Sequence, residues 1–165
     1  LNVDVLQESF FSTGFFNTIP DESGMIRSVP LVMIYDGLVY PSLTLEMLRA
    51  ASGIRKVKVI GDDAGIRTIE FGDYSIPTDK VGRIIVNYRG KGRTFKYISA
   101  QKILNNDFNP EDIAGKYVLI GTSAVGLFDL RSMPFDSAYA GVEVHANVID
   151  NVLTGDYLKK PADIV

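Results

Sequence analysis

Apolar positions along the chain recur with two periods, and the switch between them lays out the elements. Residues 3–11 carry Val5, Leu6, Phe10 and Phe11 at spacings that fit one helical face, and residues 14–17 read as a strand. A turn at Pro20-Asp21-Glu22-Ser23-Gly24 then leads into a return arm over 25–35, rich in Val, Ile, Leu and Met. Asp36-Gly37 predicts a tight hairpin turn into 38–40. Ser42 stands where a helix N-cap belongs, and Leu43, Leu45, Met47 and Leu48 fill a helix that ends near Gly53. Three short strand-like runs at 57–60, 66–71 and 74–76 form a second meander, followed by an alternating run at 83–88.

Beyond these lies the loop Arg89-Gly90-Lys91-Gly92-Arg93, whose glycines bring backbone close to basic side chains. Ser99 caps a short helix to Leu104, and residues 110–114 make one further helical turn. The compact apolar run 117–120 reads as a strand buried in the middle of a sheet. The last clear element is a helix over 141–153, with Val142, Val144, Val148, Ile149, Val152 and Leu153 on a broad apolar face and Gly155 as its C-cap. The expected fold is α/β with a mixed sheet, α+β being the alternative: a central buried strand at 117–120, helices packed on it, and antiparallel meanders at one side.

Composition narrows the chemistry. At 165 residues and 46% hydrophobic, the chain is one domain with a core of its own. A formal net charge of −3 supplies no excess of positive charge for a phosphate backbone, so nucleic acid is not an expected partner. The lack of cysteine removes disulfides, Cys-zinc sites and thiol catalysis, and with His145 as the one histidine no metal site or cofactor is expected. No window approaches the roughly 18 apolar residues of a membrane span.

The loop Gly121-Thr122-Ser123-Ala124-Val125-Gly126 follows an apolar run and can offer N–H groups and hydroxyls to an anion. It fits neither the P-loop nor the dinucleotide pattern, and a plain buried turn is the alternative. A hydrolase elbow around Ser123 would need Gly where Val125 stands, with His145 as base. Asp129, Arg131 and Asp136 form a mixed-sign cluster just beyond, of the kind that orders a loop. Glu143 and His145, two apart on a helix, do not share a face. A small ligand or ion is expected around Thr122, Ser123, Asp129, Arg131 and His145, together with Arg89.

Several blocks, in order along the chain, carry a resemblance. They are Gly14-Phe-Phe-Asn17 with Pro20-Asp21, Gly24 with Arg27, Val29-Pro30-Leu31, and Tyr40-Pro-Ser42. Downstream come Asn87-Tyr88-Arg89-Gly90, Ile98-Ser99-Ala100, residues 115–121, Asp129-Leu-Arg131 with Pro134-Phe135, and Gly141-Val-Glu-Val-His-Ala-Asn147 with Asp150-Asn151. Together they resemble the CHASE domain of the second type, an extracellular sensory module associated with cyclases and histidine kinases.

The resemblance implies a non-catalytic sensor on the periplasmic or extracellular face of a bacterial membrane, within a receptor that ends in an adenylate cyclase, histidine kinase or diguanylate cyclase. It also implies flanking transmembrane helices outside this chain, an N-terminal portion of the family that precedes it, and a homodimer in the receptor. The family brings no established catalytic or ligand residues. A protein–protein platform without soluble ligand and a small serine hydrolase are the rival functions. The helix 141–153 is the expected output lever, with a hinge near Gly155.

Overall fold

The computed structural model describes residues 4–122 and 130–159. Helix α1 (Asp4–Ser9) is followed by β1 (Ser28–Pro30), β2 (Val32–Tyr35), β3 (Leu38–Pro41) and α2 (Leu43–Ala51). Then come β4 (Lys58–Asp62), β5 (Gly65–Phe71), β6 (Tyr74–Pro77), β7 (Arg83–Ile85) and the short helix α3 (Ala100–Leu104). A 3-10 turn at Pro110–Asp112, β8 (Leu130–Met133), β9 (Asp136–Ala140) and α4 (Gly141–Thr154) complete the order.

Local chemistry explains most of these boundaries. The Ser42 hydroxyl accepts from the Leu45 amide at 3.2 Å, starting α2 where the cap residue predicts, and α2 buries Leu45 and Leu48. Asp36 and Gly37 both adopt positive φ, 50° and 73°, the conformation a two-residue turn between twisted strands requires. The meander β4-β5-β6 is antiparallel throughout and delivers Ile69, Phe71 and Ile76 to the core. α4 lays Val144, Val148 and Val152 into that same core, and Gly155, in the left-handed region, ends it.

The mixed helix and strand content is as expected, but its arrangement is that of small antiparallel sheets rather than one mixed sheet. Residues 117–120 are not a central buried strand. Leu119 packs on the core, whereas Val118 is half exposed and Ile120 is 97% exposed, and no described strand pairs with the run. An apolar run states that a segment gains by being covered on both faces; it does not supply the second cover.

Residues 14–17 are likewise not a hairpin arm. Phe15 alone makes a parallel bridge to Ser42, donating to Pro41 and accepting from Leu43. A Cβ on Gly14 would stand 2.6 Å from the Leu43 nitrogen, so glycine is what admits the approach. The return arm splits instead. β1 pairs with β7, and β2 pairs with β3. The turn at 20–24 is held by the Asp21 carboxylate, which accepts from the Ser23 and Met25 amides and pairs with Arg27. The segment read as the Asp129–Asp136 loop holds β8 and the turn of the hairpin β8–β9, whose second strand runs straight into α4.

Candidate functional site

Glu143, Asn147 and Asn151 lie four residues apart and form one polar stripe along α4. All three are buried, and the surface covering them is the segment 87–97. The Asn151 side chain accepts from the Asn87 amide and donates to the Asn87 carbonyl, both at 2.9 Å, which reproduces a strand-to-strand bond pair with a side-chain amide. Asn147 accepts from the Arg89 amide at 2.9 Å while its own NH₂ donates to the Tyr139 hydroxyl and the Glu143 carbonyl.

The Glu143 carboxylate completes the series. Its Oε2 accepts from the Arg93 amide at 2.9 Å and the Tyr97 hydroxyl at 2.8 Å, and its Oε1 from the amides of Thr94 and Phe95 at 2.9 and 3.3 Å. Asp136 accepts from the Gly92 amide at 3.0 Å, and its bonds from Ala138 and Gly92 hold its carboxyl below the usual range. The segment has no strand partner, and its N–H groups go instead to side chains of α4 and β9. The carboxylates held by the glycine-rich basic loop are the protein's own.

Arg89 closes this arrangement at the far end of α4. Its guanidinium pairs with Asp150 and Asp156 and donates to the Thr154 hydroxyl at 3.0 Å. Asn87 adds a 2.9 Å bond to Asp156, and Leu158 bridges back to Ile85 of β7. The Arg89 bond lowers the Asp156 pKa, and the carboxylates raise that of Arg89. The chain leaving α4 is therefore tied to β7 and to the segment it precedes.

The other expected site residues lie elsewhere. His145 Nδ1 is 2.9 Å from the buried Thr44 hydroxyl, linking α4 to α2. Arg131 sits opposite Tyr139 in β8–β9, and its Nε reaches the Thr18 hydroxyl at 3.4 Å. Thr122 is exposed, and Gly121 beside it abuts Val142, one turn before His145. Ser123 and Asp129 lie outside the described residues. His145 thus lies in the N-terminal half of α4 and Thr122 beside the glycine that abuts this helix, while Arg131 lies in the preceding hairpin. Arg89 is apart from them: its partner Asp150 is five residues beyond His145, about 140° around the helix. An open cleft of about 740 Å³ lined by Lys96, Tyr97, Ser99, Lys102, Asn109 and Asp112 includes none of the expected residues.

The sequence reading passed over the stripe Glu143-Asn147-Asn151. Its signal was present as three amide or carboxylate side chains at intervals of four on a helix that also carries the apolar face of Val144, Val148 and Val152.

Among the described residues, no helix is long and apolar enough to cross a membrane. No match was found among curated proteins, and none among solved structures. The family model described as the CHASE2 domain matches residues 6–165, a span that takes in both the polar stripe of α4 and the segment it holds. The chain belongs to the CHASE2 domain family, whose members are sensory, non-catalytic extracytoplasmic domains of receptors.

Proposed function

We propose that this chain is the signal-input domain of a bacterial transmembrane receptor, on the periplasmic or extracellular side of the cytoplasmic membrane, feeding an adenylate cyclase, histidine kinase or diguanylate cyclase. It binds a small molecule or ion around Thr122, Ser123, Asp129, Arg131 and His145 and performs no catalysis itself. A ligand that favours one of two conformations shifts their populations, and the shift must reach the chain leaving the domain.

One observation carries this reading: Arg89 fastens segment 87–97 to Asp150 and to Asp156, just past the end of α4. Movement of α4 against that segment strains or releases the exit. Hydrogen exchange tests it. In Arg89→Ala, amides of residues 155–158 exchange faster while those of Ile69 and Ile76 in the core do not change; an exit as protected as in the parent defeats the proposed route. A thermal-shift screen against small anions, metal ions and metabolites tests the ligand half. A saturable rise in Tm that Arg131→Ala abolishes supports the site.

The rival reading as an interaction platform is favoured by one feature, the exposed apolar hairpin β2–β3. The hydrolase reading has nothing comparable among the described residues, where the His145 ring is engaged with Thr44.

A further inference from the structure

The open cleft of about 740 Å³ is built from three pieces of chain: the stretch from Lys96 to Ser99, helix α3, and residues 106–112 around the 3-10 turn. Lys96 pairs with Asp112 and so ties the first piece to the third. The Ser99 hydroxyl caps α3 by accepting from the Lys102 amide at 3.3 Å, and the Asn109 side-chain oxygen caps the turn by accepting from the Glu111 amide at 3.1 Å. These bonds fix the walls and leave polar groups over. The Lys102 ammonium, the Asp107 carboxylate and the Asn109 NH₂ have no partner among the described residues. A cleft of this volume takes one small molecule, whose sites run from about 300 to about 1,000 Å³.

Charge decides the class of that molecule. Asp112 neutralises Lys96, and the two charges left over, Lys102 and Asp107, are of opposite sign, so a net anion or cation meets as much repulsion as attraction. What the lining offers instead is donors and acceptors together, beside the rings of Tyr97 and Phe108. Hydroxyls both donate and accept, and the C–H face of a sugar ring lies well on an aromatic side chain. We infer that this cleft is a second ligand site, one that binds a neutral sugar and reports it to α4 through Tyr97. The Tyr97 ring lines the cleft while its hydroxyl donates to Glu143 Oε2 at 2.8 Å, so a ligand that shifts the ring bears on the buried carboxylate holding residues 93–97. A zwitterionic amino acid is the poorer match, because Lys102 and Asp107 are both exposed and water screens their pull on its charges. The site is separate from that around Thr122, Arg131 and His145 and stands or falls without it.

Amide NMR titration of the 165-residue chain with glucose, galactose, maltose and N-acetylglucosamine, each to about 50 mM, tests it. At least one sugar is expected to give saturable shifts at residues 96–99 and 106–112 and at Glu143 and Asn147, with a Kd on the order of 1 mM or tighter. Asp107→Ala removes a carboxylate that holds nothing else among the described residues, so the fold stays, and the Kd should rise at least about tenfold. Tyr97→Phe takes away only the bond to Glu143, and at saturation the shifts at Glu143 and Asn147 should vanish while those at Asp107 and Asn109 persist. No saturation by any of the four sugars, saturable shifts that miss residues 96–112, or a Kd indifferent to Asp107→Ala overturns the site. Saturation by citrate, spermidine or glycine in place of a sugar overturns the ligand class. Shifts at Glu143 that survive Tyr97→Phe overturn the link to α4.

Discussion

At the scale of single residues, Glu143 fixes the backbone of segment 93–97. It is buried, and both oxygens are filled by donors from segment 93–97. Glu143→Gln keeps the shape but turns an NH₂ toward donors that need an acceptor. The expected loss is about 1–3 kcal/mol in urea unfolding, and Glu143→Ala, which leaves the same amides without any partner, loses more. Tyr139 supplies a pH test. Burial pushes its hydroxyl up to about 12, with the Glu143 and Asp136 charges adding and the Asn147 bond opposing. A raised folded-state value contributes stability that is whole below the unfolded value of 10.0 and is lost as pH rises toward 12. Denaturation curves above pH 10 should therefore fall steeply, and Tyr139→Phe should flatten the fall. Tyr88, also raised by burial, leaves some slope behind.

At the scale of elements, caps and turns were legible because their signal is local. Ser42, Asp36-Gly37 and Gly155 each do what their chemistry predicts. Ser42→Ala should cost about 1 kcal/mol by removing the bond to the Leu45 amide. Gly155→Ala should cost a similar amount, about 1 kcal/mol, for a left-handed φ of 67° alone, since no atom lies within 4 Å of the added Cβ. Both are measurable as shifts in thermal midpoint. What was not legible depends on partners distant in sequence. Residues 117–120 are apolar enough for a central strand, but hydropathy does not reveal whether a second layer arrives. Of the expected site, His145 lies on α4, Thr122 beside the Gly121 that abuts it, and Arg131 on the hairpin before it. Arg89 was grouped with them for its charge, and that charge is matched by Asp150 and Asp156, over sixty residues away.

At the scale of the whole molecule, the two ends of α4 are held by different means, and acid should separate them. The N-terminal half is set by apolar burial of Val144 and Val148, by the buried Glu143 and by the hairpin that precedes it. The C-terminal exit is held by exposed carboxylate pairs, chiefly Asp156 with Arg89. The Arg89 bond depresses the Asp156 pKa, so this contribution is whole above the ordinary carboxylate value of 3.8 and disappears as pH falls through the lower folded-state value. Core packing has no such dependence. On titration below pH 4, amide resonances of residues 155–158 should move toward unstructured positions while those of Ile69, Ile76 and Val148 keep their native shifts. Arg89→Ala should already show the shifted exit at neutral pH. If exit and core instead titrate together, the link at Asp156 is not a separable joint but part of the cooperative unit, and α4 could pass no motion to the chain beyond it without unfolding the domain.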